Sequence, residues 1–126
     1  MKYLLDVNAL IAWWHSTHSH HIQFHQWGKA VGFKNLHTCN ISELGFLRVS
    51  MQVYQFTAKE AQTALENIRA RSAGHLDTVT APALPAWAKT PAATTDAYLC
   101  QLARHHKLRL ATFDTRIQDA AAEVIS

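Results

Sequence analysis

Lys2-Tyr3-Leu4-Leu5-Asp6-Val7-Asn8 is a short apolar run that breaks off at a carboxylate. A parallel strand buried on both faces reads this way, with the acid delivered to its carboxyl edge. That edge is where open α/β sheets bind ligands. The same form returns late in the chain in Leu108-Arg109-Leu110-Ala111-Thr112-Phe113-Asp114, while Glu43 and Asp96 fall where helices are expected to begin. Four carboxylates spread along the whole length are thereby placed at one edge of one sheet.

The rest of the composition fits this reading. A chain of 126 residues has room for one sizeable core, so residues 1–126 are expected to form a single domain. A hydrophobic fraction of 48% with 17% charged residues is that of an ordinary globular protein. No stretch approaches the ~20 apolar residues of a membrane span. The amino terminus carries one lysine and an apolar run cut short by Asp6, too brief for a secretory signal, and a cytoplasmic location without membrane contact is expected. Cys39 and Cys100 have neither metal-knuckle nor disulfide spacing and are expected to be buried, reduced thiols.

Charge points to the class of partner. The chain has 12 Lys and Arg against 9 Asp and Glu. Gathering four of those acids into one pocket leaves five to face 12 bases elsewhere. A basic surface around an acidic hole would attract a polyanion and hold cations at its centre; the bland alternative is a mildly basic solvated surface.

Strand and helix signals alternate, as in a parallel sheet covered on both faces. The expected strands are residues 2–6, 37–39, 76–79, 108–112 and a final edge strand at 123–125. A first helix follows an Asn8 cap; a second runs from about Ser19 to Val31, with Ile22, Trp27, Ala30 and Val31 inward and Gly32 closing it. A third, capped by Asn40 or Ser42, shows Ile41, Leu44, Leu47 and Met51 at helical spacing, which predicts its buried face. Thr57 caps a fourth over Ala58–Arg71. Residues 80–94, which hold all three prolines, read as a loop, and Thr94 or Thr95 caps a fifth helix over Asp96–His106.

Taken singly, Glu43 and Asp96 have an ordinary explanation as first-turn acids complementing a helix dipole, and Asp6 as an Asx-turn residue leaving a strand. The set of four is harder to account for so simply. Clustered carboxylates raise one another's pKa, and a bound cation is the usual counterweight. Oxygen-only ligands favour hard ions such as Mg²⁺ or Mn²⁺. Such ions serve phosphoryl chemistry by activating water and steadying charge, and a second ion ~3.5–4 Å away can stabilise the leaving oxygen.

Leu4-Leu5-Asp6-Val7-Asn8, Ser42-Glu43-Leu44, Thr95-Asp96-Ala97-Tyr98-Leu99 and Ala111-Thr112-Phe113-Asp114 together resemble the acidic motifs of PIN-domain ribonucleases, in particular the VapC toxins of bacterial toxin–antitoxin pairs. The likeness covers essentially the whole chain in order, and Gly45-Phe46-Leu47-Arg48-Val49 is similar to the segment after the second acid in one VapC branch. The chain departs from the pattern after the fourth acid, where Thr115-Arg116-Ile117 replaces the aromatic residue many members carry. The resemblance implies a PIN-like α/β/α sandwich with a mostly parallel sheet of four to five strands in the order 3-2-1-4-5. It implies Asp6, Glu43, Asp96 and Asp114 as Mg²⁺ or Mn²⁺ ligands, directly or through water, with Asn8 and Thr112 orienting the acids or the water. It also implies an endoribonuclease acting on RNA such as tRNA or rRNA, a homodimer, and a cognate VapB-type antitoxin whose tail occupies the groove.

Other readings stay open on the residues alone. A DNA-directed nuclease would use the same acids, and a catalytically inactive module binding RNA or protein would keep the fold. A haloacid-dehalogenase-type phosphatase needs a second Asp where this chain has Asn8, and no G-x-G-x-x-G follows the first strand. Among nine histidines, His21 and His25 share a helix face and form half of a zinc motif, while His15, His18 and His20 lie just before them. Trp13, Trp14, Trp27 and Trp87 are expected in core and interface rather than as a base-stacking platform. Arg48 has a choice between a solvated helix face and a contact with RNA or Glu43, and Asp119 is left outside the site.

Overall fold

The computed structural model describes residues 1–78 and 80–126. Its strands are β1 (Tyr3–Leu5), β2 (Leu36–Cys39), β3 (Gly74–Leu76), β4 (Arg109–Thr112) and β5 (Ala122–Val124). They form one sheet in the order β3-β2-β1-β4-β5, and every pairing is parallel. Tyr3 pairs with Leu36 on one side and Arg109 on the other, which makes β1 the central strand and β2 and β4 its neighbours. The expected strand order is the observed one, and the sheet is wholly parallel.

Alternation along β1 assigns the two faces. Tyr3 and Leu5 enter one core with α1 (Val7–Trp14), α2 (His21–Val31), α3 (Asn40–Gln52) and α4 (Ala58–Arg71), whereas Leu4 points the other way into a core built with α5 (Pro91–His105). The result is an α/β/α sandwich. All three β1 side chains are buried, which is why the run is apolar without interruption.

Several expected boundaries shift for identifiable reasons. The cap of α1 is Asp6 rather than Asn8: Asp6 Oδ1 accepts from the Val7 amide at 2.7 Å, and Asn8 lies inside the helix with its amide turned to β4. The third strand is Gly74–Leu76, three residues long, and of the expected span 76–79 Val79 lies outside the described residues. The fifth helix starts at Pro91, not Asp96. Thr90 accepts from the Ala93 amide at 3.3 Å and Pro91 takes the first helical position, where a missing amide costs nothing; the proline begins the helix instead of extending the loop. Gly32 closes α2 with φ +92°, a conformation that suits glycine. Within α2 the buried residues are Phe24 and Gly28, while Ile22 is 71% exposed and Ala30 is exposed, so the expected inward face is displaced.

The largest correction concerns α3. Its buried residues are Ser42, Glu43, Gly45, Phe46 and Ser50, and Leu44 is 63% exposed. Gly45 explains the choice of face, because a Cβ there would lie 2.5 Å from Val7 Cγ2 and 3.1 Å from Cγ1. Helices α1 and α3 approach too closely at this point for any side chain larger than hydrogen. Gly45→Ala is expected to destabilise the protein by ~1–3 kcal/mol, since the β-branched Val7 is stiff about χ1. Val7→Ala in the same chain should restore most of the loss; urea denaturation of the single and double variants checks this, and strictly additive losses would refute the clash.

Candidate active site

The carboxyl edge of β1 and β4 carries the first part of the site. Asp6 follows β1 directly, and its amide continues the ladder by donating to the Ala111 carbonyl at 3.0 Å. This fixes the residue against β4 before its side chain is considered. Thr112, the last residue of β4, is fully buried and acts as the hub. Its hydroxyl donates to Asp6 Oδ2 at 2.8 Å and accepts from Asn8 Nδ2 at 3.1 Å and from the Asp114 amide at 3.0 Å. Asn8 completes the bridge by accepting from the Phe113 amide through Oδ1 at 3.1 Å. Asp6 and Asn8 are thus tied into one network with Thr112 and Asp114, more than 100 residues away in sequence.

Asp96 joins them by charge. It lies in the second turn of α5, beyond the first turn where the sequence places it. Burial, then the charges of Asp6 and Asp114, push its carboxyl up to about 6, with Arg116 opposing. Burial also raises Asp6, with a smaller contribution from the charge of Asp114, although the bonds from Thr112 and the Val7 amide act the other way. Asp114 moves in the opposite direction because Arg116 folds back on it, Nε to Oδ1 at 3.0 Å and Nη2 to Oδ2 at 3.2 Å. Arg116 is 88% exposed, so water screens this pair and it is easily opened. Asp96 and Asp114 line a cavity of about 680 Å³ whose wall also includes Trp87, Thr90 and the cations Lys89 and Arg116.

Glu43 stands apart from this trio. It is buried in the first turn of α3, accepts from Thr38 Oγ1 at 2.5 Å, and receives both Nε (3.1 Å) and Nη2 (2.5 Å) of Arg69 from the last turn of α4. Burial opposes its ionisation, yet the bonds from Arg69 and Thr38 and the charge of Arg69 outweigh it and lower its pKa. Arg69 and Thr38 were not legible as functional residues. Arg69 lies 26 positions from its partner on another helix, and only the packing of α3 against α4 brings them together.

Among the described residues, no three His, Cys, Asp or Glu side chains are drawn close enough to ring an ion as they lie. The donor chemistry nonetheless fits a hard cation. Asp6, Asp96 and Asp114 are all-oxygen donors; burial first, and then their mutual charge, raises the pKa of Asp6 and of Asp96, and a divalent ion would offset both costs.

The remaining singled-out residues have structural roles. His21 donates from Nδ1 to the Ala12 carbonyl at 2.7 Å and His25 from Nε2 to the Trp13 carbonyl at 2.9 Å, so both finish the carboxyl end of α1 rather than point together at an ion. His15 is buried, bonded to Ser50 at 2.8 Å and stacked on Tyr54 at 3.7 Å; burial, and then the charge of His18, lower its pKa to about 4. His20 lies on Phe113, ring centroids 4.4 Å apart and nearly parallel. Trp13 packs against Phe24 and Phe33, and Trp27 against Tyr3, as core residues. Arg48 is exposed on α3, and it is Arg69 that holds Glu43. Asp119 accepts from Arg104 at 2.6 Å, from the Ala121 amide at 2.9 Å and from Trp87 at 3.3 Å, which anchors the loop before β5. Cys39 and Cys100 are buried free thiols, and no described helix is long and apolar enough to cross a membrane.

Comparison with known proteins bears on the family and the fold. The family model described as PIN domain matches residues 3–123. Ribonuclease VapC38 of Mycobacterium tuberculosis is 33% identical, over 90% of this chain and 86% of its own length. Among solved structures, that of FitAcB from Neisseria gonorrhoeae superposes with a TM-score of 0.68, covering 98% of this chain and 96% of the other at 22% identity, which speaks to the fold.

Proposed function

Since this chain belongs to the PIN domain family, and within it to the VapC-type ribonucleases, we propose that it is a divalent-metal-dependent endoribonuclease toxin, with residues 1–126 acting as one nuclease domain. The observation that carries the reading is the network in which Thr112 locks Asp6 to Asn8 and Asp114, with Asp96 raised to about 6 by burial and by the neighbouring charges. Carboxylates with raised pKa gathered at a sheet edge are characteristic of functional sites. Asp6, Asp96 and Asp114 would hold Mg²⁺ or Mn²⁺, with Glu43, held by Arg69 at the end of neighbouring β2, acting only through water. When bound, the ion supplies a lowered pKa for water and positive charge for the phosphate.

The chain's own residues do the positioning. Thr112 donates to Asp6 Oδ2, which leaves that carboxylate one fixed orientation, and Asn8 holds both the Thr112 hydroxyl and the Phe113 amide. Lys89 and Arg116 at the cavity rim meet the phosphates of the incoming strand. Water attacks the phosphorus in line as the P–O3′ bond breaks, leaving a 5′-phosphate and a 3′-hydroxyl, with no covalent enzyme intermediate. The substrate is RNA of the tRNA or rRNA class, the setting cytoplasmic. A cognate VapB-type antitoxin restrains the enzyme by laying its tail in the groove with a basic side chain near the acids. A homodimer is part of the same reading, and the outward apolar residues Leu44, Met51 and Val53 offer a surface for it.

The test is cleavage of total bacterial RNA by the purified protein with Mg²⁺ or Mn²⁺, beside an EDTA control and matched single-stranded DNA. Discrete metal-dependent ends on RNA support the proposal. Preferential cutting of DNA would favour the DNA-directed alternative, and RNA binding without cleavage would favour an inactive PIN-like module.

A pH dependence accompanies the metal reading. Asp96 has a folded pKa above its unfolded value, so its ionisation works against the fold as pH rises from about 4 through 6. A cation offsets that cost, and below pH 6 protons compete with it for the same carboxylate. The gain in Tm on adding Mn²⁺ should therefore be larger at about pH 7.5 than at about pH 5, by on the order of 1 kcal/mol or roughly 4 °C. An equal gain at both values would contradict the assignment of Asp96.

A further inference from the structure

Of the four acids, Glu43 alone is buried with both oxygens held by a cation; buried Asp6 takes only neutral donors, the Val7 amide and the Thr112 hydroxyl. Arg69 meets it in fork-to-fork geometry, Nε on Oε2 and Nη2 on Oε1, and Thr38 adds a third bond to Oε2. The Glu43 side chain is 5% exposed and that of Arg69 38% exposed, so the pair lies at the carboxyl end of β2, the strand beside β1, shielded on the Glu43 side and open on the Arg69 side. Both partners come from helix turns fixed by packing: Glu43 from α3, which is clamped to α1 at Gly45, and Arg69 from the last turn of α4 beside the buried Ile68. Asp114 is also held by an arginine, but Arg116 is 88% exposed and yields easily. Separating the bidentate Arg69 from buried Glu43 is harder, because it strands the carboxylate's charge away from water.

We infer that Arg69 is a positioning residue that reserves Glu43 as its own partner, so that divalent-ion binding falls to Asp6, Asp96 and Asp114 and the Glu43–Arg69 pair stands beside the ion as a fixed, charge-neutral wall. The inference rests on the metal-dependent reading above and refines it. A guanidinium and a divalent ion satisfy the same need of a buried carboxylate, and here the arginine is covalently part of the fold and already in place. Three consequences for metal binding are measurable apart from catalysis. Glu43 contributes little affinity, Asp96 contributes much, and removing Arg69 turns Glu43 into an additional ligand.

The experiment is titration of the full chain with Mn²⁺ alone, followed by calorimetry, with circular dichroism to confirm folding of each variant. Glu43→Gln is expected to change the Mn²⁺ Kd by less than about threefold, whereas Asp96→Asn weakens it by about tenfold or more. Arg69→Met should tighten Mn²⁺ binding several-fold or add a second equivalent, and Arg69→Lys should fall between it and the wild type. If Arg69→Met does not fold, the contrast between Glu43→Gln and Asp96→Asn decides. A Glu43→Gln loss as large as that of Asp96→Asn would overturn the inference while leaving the metal-dependent reading intact. Failure of the wild type to bind Mn²⁺ at all would remove that reading, and the inference with it.

Discussion

Asp6→Asn should reduce RNA cleavage by at least about 100-fold while the Tm stays at or above that of the wild type. Loss of a residue that only supports a metal ligand typically costs 10–100-fold, so removal of a ligand's charge should reach the upper end of that range or exceed it. Stability should follow the opposite course for two reasons. Asp6 is 5% exposed and burial already disfavours its charged form, with the charge of Asp114 adding to the cost. Neutralising it also eases Asp96, whose carboxyl is held near 6 partly by Asp6. One of the two local bonds survives, since the single amide oxygen of Asn can cap α1 as well as Asp does; the bond lost from Thr112, about 1 kcal/mol, is set against the relieved charge. Mapping of RNA ends with wild type and variant side by side, together with thermal melts in EDTA, makes the check. A variant that unfolds, or one that still cuts at wild-type rate, would each contradict a different half of the argument.

Phe46→Ala should cost ~3–5 kcal/mol, whereas Leu44→Ala, two positions away on the same helix, should stay within about 0.5 kcal/mol. Phe46 is fully buried, packs in the core shared by α1, β1 and α4, and lies 5.9 Å from the His15 ring, so its loss leaves a cavity that rigid neighbours cannot fill. Leu44 is 63% exposed and gives up little contact with the protein. A loss of this size is a large part of the 5–15 kcal/mol that holds a domain together. Equal effects at the two positions, measured by urea denaturation, would mean that α3 presents a different face to the sheet than the structure gives.

The contrast at α3 shows where reading a sequence succeeds and where it stops. Ile41, Leu44, Leu47 and Met51 recur at helical spacing and look like a core stripe, and the helix they predict is there. Its orientation is different because the face that can approach α1 must carry Gly45, and no periodicity of apolar residues reports a close approach 38 positions away. The start of α5 is a milder case. Three prolines suggested a loop through Thr94, but Pro91 occupies the helix position that tolerates it, and only the Thr90 cap reveals that. By contrast Thr57 with Glu60 forms a capping box, and α4 runs over the expected span Ala58–Arg71. There the signal is local, and local signals are legible.

The sequence by itself determined the class of fold and the nature of the acidic edge. Apolar runs ending in Asp6 and Asp114 read as buried parallel strands, and in the order β3-β2-β1-β4-β5, which the family resemblance implied and the structure has, those two strands are neighbours, so their acids meet. What only the tertiary structure decided is how the four candidate acids divide. Asp6, Asp96 and Asp114 share one electrostatic field, while Glu43 is gripped by Arg69 and Thr38. The reason is physical: a carboxylate's partner is whichever cation the packing of helices brings within hydrogen-bonding reach, and that distance is set by the contact of α3 with α4, which neither helix encodes alone.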